Sequence, residues 1–346
     1  MRFYELNLYQ PDDTTKPWRT WTSFPNGKFD PGALNIEFDI PVMPFDTPAG
    51  GSTITIHGIA LKDLAQSQQF GVQYLNNTTV PGKLLELKGG MGPGLPLANS
   101  SQQGVLLKGT ILNSFGAWQG TEMHLDFVVY PAQFTTGNPG NFVLNWQKGQ
   151  QLSQALQNCL SVAYPGMPPT INISPNLIQD FDEQHFCGTL EELAQHVREI
   201  TASQFLGDTY PGVSIAINRG TLSVFDGTQT MPAPVQIDFT DLIGQPTWLD
   251  VGTMQFMTVM RGDLQVGTQI RMPAGFVVGP GSMIFSSSSE KSVSGLNYQV
   301  TFTGTFIVQA LRHIGHFSSA SGEEWATVVI CTPTVPPSPT QQAAGV

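Results

Sequence analysis

Apolar and polar residues alternate with a period of two in a series of separated stretches, the pattern of strands with one buried face. Asn35 to Ile40 places Ile36, Phe38 and Ile40 on one side, and Ser52 to His57 alternates in the same way. Lys83 to Lys88 and Gly104 to Ile111 are short apolar runs, and Met123 to Tyr130 (MHLDFVVY) is a further strand. Turn residues separate these stretches at intervals that suit an antiparallel barrel or sandwich.

Near Asn141 the period lengthens to about 3.6 residues. Leu152, Ala155, Leu156, Cys159 and Leu160 then share one helical face, and Pro165 ends that helix. A second helix is expected from Thr189, because Thr189 and Glu192 have the spacing of a capping box. There the hydroxyl accepts the third helical amide and the carboxylate reaches back to the cap amide. Leu190, Leu193, Ala194, Val197 and Ile200 form its apolar stripe. Val213, Ile215 and Ile217, followed by Leu222, Val224 and Phe225, read as a strand pair turning at Asn218-Arg219-Gly220.

The period of two returns after the proline-rich joint Met231-Pro232-Ala233-Pro234. Val235, Ile237 and Phe239 alternate, and Thr253 to Met260 is strand-like. Tyr298 to Ala310 carries the strongest alternation in the chain, with Tyr298, Val300, Phe302, Gly304, Phe306, Val308 and Ala310 on one parity. Trp325 to Cys331 (WATVVIC) is the last strand, and an uncharged, proline-rich tail follows. The expected fold is mainly β with an α+β insert: two antiparallel β-barrels flanking a small α+β domain. The expected boundaries are an N-terminal arm over 1–30, a first barrel over 31–141, the insert over 142–230, a second barrel over 231–331 and a tail over 332–346.

Composition narrows the function. The chain has 346 residues, of which only 12% are charged, and it contains 36 glycines and 26 prolines. That charged fraction is about half the roughly 25% of an average soluble domain. So many glycines and prolines exclude a helix bundle, and the 40% of hydrophobic residues argues against disorder. The net charge of −11 disfavours a nucleic-acid binder, which needs clustered Lys and Arg against phosphates. Cys159, Cys187 and Cys331 are an odd set without CxxC spacing, so free thiols are expected in place of a disulfide framework or zinc cluster. No signal-peptide pattern opens the chain and no run of about 18 apolar residues occurs, so synthesis in the cytosol without export is expected.

Candidate chemistry is sparse. His313 and His316 lie three apart near a strand end, with no thiol or carboxylate at ligand spacing, and read as a turn or surface pair. Asp180, Asp182 and Glu183 read as a solvated loop, as do Asp12-Asp13 and Glu323-Glu324. No serine lies in a GxSxG elbow. The stretch Gly89-Gly90-Met91-Gly92-Pro93-Gly94 lacks the GK[ST] ending of a phosphate loop and reads as a permissive loop between strands. Arg261-Gly262-Asp263 reads as the turn after the Met254 to Met260 strand. No catalytic residue, cofactor or metal is expected.

Three segments carry a resemblance. Gly89 to Leu125 (GGMGPGLPLANSSQQGVLLKGTILNSFGAWQGTEMHL) presents a glycine-rich loop, an LPLAN turn, a strand and an FGxWxGT turn. Within Ile237 to Pro273 lie DFTDLIGQPTW and RGDLQVGTQIRMP, and Phe302 to Val329 reads FTGTFIVQALRHIGHFSSASGEEWATVV. In this order they resemble the baseplate hub proteins of contractile-tailed bacteriophages, with looser similarity in NWQKGQQLSQAL and GTLEELAQHV of the insert. The turn His316-Phe317-Ser318-Ser319 departs from the family pattern, which often carries an Arg there.

The resemblance implies two tail-tube-like barrels per subunit and a trimeric ring, in which six similar domains match the hexameric tube above while a three-fold spike docks below. The implied partners are two further copies of the chain, a tail tube protein, a central spike protein and other baseplate proteins. DNA would pass through without specific binding, and no membrane segment is involved. The implied location is the virion tail baseplate, after synthesis in the host bacterial cytoplasm. Assembly and turn positions are expected at Gly89, Gly90, Gly92, Gly94, Leu95, Pro96, Trp118, Trp248, Asp263 and Trp325. The alternatives are a hexameric tube terminator or distal-tail adaptor and, from another class, a glycan-binding or cell-wall-degrading tail protein with paired carboxylates about 5 to 9 Å apart.

Overall fold

The computed structural model describes residues 1–44, 51–94, 99–131, 141–202, 205–207, 210–229, 233–250, 252–273, 302 and 304–334, and structural statements concern these residues. The first part of the chain forms β1 (Arg2–Tyr9), β2 (Arg19–Thr22), β3 (Ile36–Val42), β4 (Ser52–His57), the short helix α1 (Leu61–Leu64), β5 (Gln73–Leu75), β6 (Thr78–Val80), β7 (Leu84–Met91), β8 (Gly104–Gln119) and β9 (Glu122–Tyr130). The middle forms β10 (Phe142–Trp146), α2 (Leu152–Ala163), β11 (Thr170–Asn172), β12 (Glu183–Cys187), α3 (Leu190–Thr201), β13 (Ser214–Asn218) and β14 (Thr221–Phe225). The last part forms β15 (Val235–Gln236), β16 (Thr247–Trp248), β17 (Met254–Val259), β18 (Gln269–Met272), β19 (Gly304–His316) and β20 (Trp325–Pro333).

The two expected barrels are not there. One 13-stranded sheet runs β16-β17-β20-β19-β3-β4-β9-β8-β7-β1-β2, with β18 and β15 attached beside β19. Among the described residues this path has two ends, β2 and β16, and no ladder joins them, so no sheet closes on itself. The physical reason is the antiparallel β3–β19 ladder, which runs from Leu311 opposite Val42 to His316 opposite Glu37. A strand has only two hydrogen-bonding edges. Those of β3 are taken by β4 and β19, which leaves none to close a barrel in the first half.

Within the expected N-terminal arm, residues 2–9 form β1. Tyr4, Leu6 and Leu8 are buried, and β1 pairs with β7 on one side and β2 on the other. Two further corrections concern strand extent. Phe115 to Trp118, expected in a turn, continue β8, and the reversal falls at Gly120-Thr121. Of the alternation from Tyr298 to Ala310, positions 298–301 and 303 lie outside the described residues, while β19 runs on to His316. A bulge between Val308 and Ala310 switches its buried parity, so that Leu311 and His313 follow Phe306 and Val308 into the interior.

The insert follows its periodicity closely. The stripes of α2 and α3 pack against Phe142, Leu144 and Trp146 of β10 and against Ile215 and Val224 of β13 and β14. The Thr189 hydroxyl accepts from the Glu192 amide at 3.2 Å, but the Glu192 carboxylate reaches the Gly188 amide at 2.6 Å and not the cap amide. β13 and β14 reverse through Arg219 (φ 53°) and Gly220 (φ 73°), both left-handed as a tight hairpin of this hand requires. Two other apolar clusters lie under the sheet. One joins Ile36, Ile54, Phe127 and Leu85 to Met260 and Trp325 from the last part of the chain. The other joins Phe256, Ile270, Phe306 and Leu311 to Ala216 and Phe225 of the insert.

Candidate assembly junction

Gly89 and Gly90 do not form a loop. They are the end of β7, opposite Tyr4 and Phe3 of β1, and Gly89 also stands opposite Gly104 of β8. What they supply is closeness: a Cβ on Gly89 would sit 2.5 Å from Leu106, and one on Gly92 would enter the Phe24 ring. Against this bare strand lies Trp325, fully buried at the start of β20, whose indole Nε1 donates to the Gly90 carbonyl at 2.9 Å. Gly94 takes a left-handed φ of 102° just beyond the strand. Leu95 and Pro96 lie outside the described residues.

The tripeptide Arg261-Gly262-Asp263 follows β17 as a bend, and its arginine is buried. Arg261 is 2% exposed, and its Nε and Nη2 grip the Asp263 carboxylate at 2.9 and 2.5 Å. Its Nη1 donates to Asp241 Oδ2 at 2.9 Å. Asp241 is presented by a short turn, Phe239–Asp241, and also accepts from Gln102 Nε2 at 2.9 Å. The Gly262 amide donates to the Gln102 carbonyl at 2.8 Å, and the backbones of Gly262 and Gly104 touch so closely that neither admits a Cβ. From the insert hairpin, Arg219 donates to the Gly262 and Leu264 carbonyls.

The junction therefore takes one strand from each end of the chain and a turn from the insert. Two guanidinium groups face two carboxylates, which compensates charges that could not otherwise be buried. Burial opposes the Arg261 charge, but the hydrogen bond and charge of Asp263, with Asp241 behind, hold its pKa above the ordinary value. Arg219, whose bonds go to carbonyls, is held below its ordinary value by burial.

His313 completes the junction from β19 and corrects the expectation of a surface pair with His316. The bulge turns His313 inward, where its Nδ1 lies 2.9 Å from the Thr327 hydroxyl, which in turn accepts from the Arg261 amide at 3.0 Å. Burial, with the Arg219 charge nearby, lowers its pKa from 6.5 to about 3. His316 stays half-exposed beside Glu37 and Glu324.

Gly89, Gly90, Asp263 and Trp325 thus meet at one place, with Gly92 and Gly94 at its margin. Trp118 and Trp248 do not join them. Trp118 is 62% exposed near the β8–β9 turn, and Trp248 stacks on Phe302 at the β16 end of the sheet. Sequence reading missed Gln102, Arg219, Asp241, His313 and Thr327. The one available signal was Arg261 two residues before Asp263 at a strand end; Gln102 and Asp241 are 139 positions apart and leave no local trace.

A cleft of about 470 Å³ borders the junction, between Val129 and Tyr130 of β9, Glu191 of α3, and Arg219, Leu264 and His313. Among the described residues no group of three or more His, Cys, Asp or Glu is placed to hold a metal ion, and the three cysteines are free and buried. The arrangement locks three parts of a chain together.

No protein-family model and no curated protein matches the chain. Among solved structures the chain is similar to a tail protein from Neisseria meningitidis MC58, at 11% identity and TM-score 0.48, covering 96% of both chains. It is also similar to the 43 kDa tail protein of prophage MuSo2 from Shewanella oneidensis, at 8% identity and TM-score 0.47, covering 96% of this chain and 97% of that one. A third similarity, at 10% identity and TM-score 0.45 over 87% of this chain and 74% of the other, is to an E. coli type VI secretion component described as resembling bacteriophage T4 tail proteins.

Proposed function

We propose that the chain is a non-catalytic structural subunit of a contractile phage tail, the baseplate hub that forms a three-fold ring between the tail tube and the central spike. The observation that carries this reading is the junction. The three segments that resemble hub proteins are separated by long intervals, yet the first touches both others: Gly90 accepts from the Trp325 indole, and Gly104 packs against Gly262. Matches scattered by chance would have no reason to converge.

A second feature supports the conduit role. Outward from the β9-β4-β3-β19 face stand Asp126, Glu37 and Asp39, with Glu122 at its margin, against one arginine, Arg312, which is already paired to Asp39 at 2.6 and 2.8 Å. A face of this sign repels a phosphate backbone and lets DNA slide without sticking. We assign it to the bore.

The test is imaging of assembled tails with the chain labelled. The reading expects three copies on the axis where tube meets spike; a chain off the axis, or in six copies as a tube terminator would be, overturns it.

A further inference from the structure

The cleft beside the junction has the lining of a small-molecule site, and the hub reading does not use it. Its volume of about 470 Å³ falls within the range of such sites, roughly 300–1,000 Å³. Val42 of β3, Leu106 of β8, Ile217 of β13 and Leu311 of β19 supply apolar walls, so strands from every part of the chain bound one space.

The charges of the cleft are segregated. At its floor lie Arg219 and the buried, neutral His313. Arg219 Nη2 donates to the Gly262 and Leu264 carbonyls, and Nε and Nη1 donate to Gln265 at 3.2 and 3.0 Å with that amide turned oxygen-first. Four of the five N–H groups are thereby used, all on neutral acceptors. Among the described residues no carboxylate lies at ion-pair distance from Arg219, and Asp263, which acts on it at longer range, is bound by Arg261. A carboxylate entering the floor would give this half-buried cation a charge-assisted partner. At the mouth stand Glu191 and Glu192, both exposed, in the first turn of α3. Glu191 accepts from the Tyr130 hydroxyl at 3.2 Å and Glu192 from the Gly188 amide at 2.6 Å, and among the described residues neither forms an ion pair. Lys108 also borders the cleft, with its ammonium 3.7 Å from Glu86.

We propose that this cleft binds an aliphatic molecule with a carboxylate at one end and an ammonium at the other. The carboxylate meets Arg219, the methylene chain lies between the apolar walls, and the ammonium sits beside Glu191 and Glu192. A fatty carboxylate would satisfy the floor but meet like charge at the mouth, and an alkylamine would leave the guanidinium without a partner.

The experiment is calorimetric titration of the full chain with ω-aminooctanoate, which should bind saturably with one molecule per chain. Octanoate and octylamine, each lacking one of the two charges, should bind about tenfold or more weakly. Glu191→Gln combined with Glu192→Gln keeps an accepting oxygen for Tyr130 and for Gly188, so the variant should keep its circular dichroism. It should weaken ω-aminooctanoate by about fivefold and leave octanoate no weaker, because only the ammonium loses its partners. In NMR, the His313 imidazole signals should move along the same saturation curve, since His313 lines the floor. The proposal is overturned if binding does not saturate, or if octanoate or octylamine binds as tightly as ω-aminooctanoate. It is equally overturned if the double variant binds that ligand unchanged or the His313 signals stay fixed. None of these outcomes depends on whether the chain forms a ring.

Discussion

The insert and the junction are both buried, and they are buried by different means. The insert brings together apolar stripes that lie within one stretch of chain, from Phe142 to Val224, around two short amphipathic helices. The junction is polar and gathers residues from every part of the chain: Gln102, Arg219, Asp241, Arg261, His313 and Trp325. An apolar core loses stability in proportion to the volume removed and the surroundings partly relax. A compensated ionic core fails differently, because removing one partner leaves another charge buried and alone. The first kind of core tolerates variation. The second fixes how three units are joined.

The largest effect expected from this contrast is that of Arg261→Ala, which strands Asp241 and Asp263 and should cost roughly 3–5 kcal/mol in denaturant unfolding. Its distinguishing mark is position. Hydrogen exchange should quicken in β7, β17 and β20, whereas Leu156→Ala, at a comparable roughly 2–5 kcal/mol, should quicken exchange first in α2 and β10. If both variants loosen the same segments, the contrast between the two regions is wrong. Replacing Arg261 by Met together with Asp241→Asn should recover part of the loss, since it removes one stranded carboxylate and leaves Asp263 opposite the Arg219 charge.

Gly104→Ala comes next. Its Cβ has no room against the Gly262 backbone, and overpacking of this kind costs roughly 1–3 kcal/mol, readable as a lowered midpoint of unfolding. The same change at Gly149 of the insert meets no neighbouring atom, although its left-handed φ of 77° adds a small backbone cost. The larger loss should therefore be at Gly104.

Acid should separate the regions further. His313 is neutral when folded down to about pH 3, whereas the unfolded chain protonates near 6.5. Between these values the unfolded state binds the extra proton. Stability is therefore full above about pH 6.5 and falls by roughly 1.4 kcal/mol per unit as pH drops toward 3. Subtracting the pH profile of His313→Gln isolates this slope from that of the carboxylates. Equal slopes in the two proteins would show that His313 is not held neutral. The smallest effect belongs to the insert: Thr189→Ala removes a helix cap and should cost about 1 kcal/mol at any pH between 5 and 8.

What could be read from the sequence follows the same division. The stripes of α2 and α3, the Thr189 cap and the Arg219-Gly220 hairpin are set by neighbours within a few residues, and they stood where periodicity placed them. The Glu192 half of the capping box slipped by one position, to Gly188, a shift that spacing cannot resolve. β1 was hidden because prolines and aromatics dominate its surroundings, and the glycines of β7 because residues without side chains show no alternation. The bulge in β19 inverted the burial of His313 with no mark in the sequence. Most consequentially, the β3–β19 ladder, which replaces two barrels with one open sheet, pairs residues 269 to 279 positions apart. Gly89, Gly90, Asp263 and Trp325, expected as assembly and turn positions, lie at the junction, where contacts between distant segments leave no local pattern. Trp118 and Trp248 lie elsewhere on the sheet.

The central claim is that this chain builds a three-fold ring. The most direct test is the native mass of the purified protein under dilute, non-denaturing conditions. Three times the 37.5 kDa chain mass is the expected result. A single-chain mass across the accessible concentration range, or a mass six times that of the chain, would contradict it.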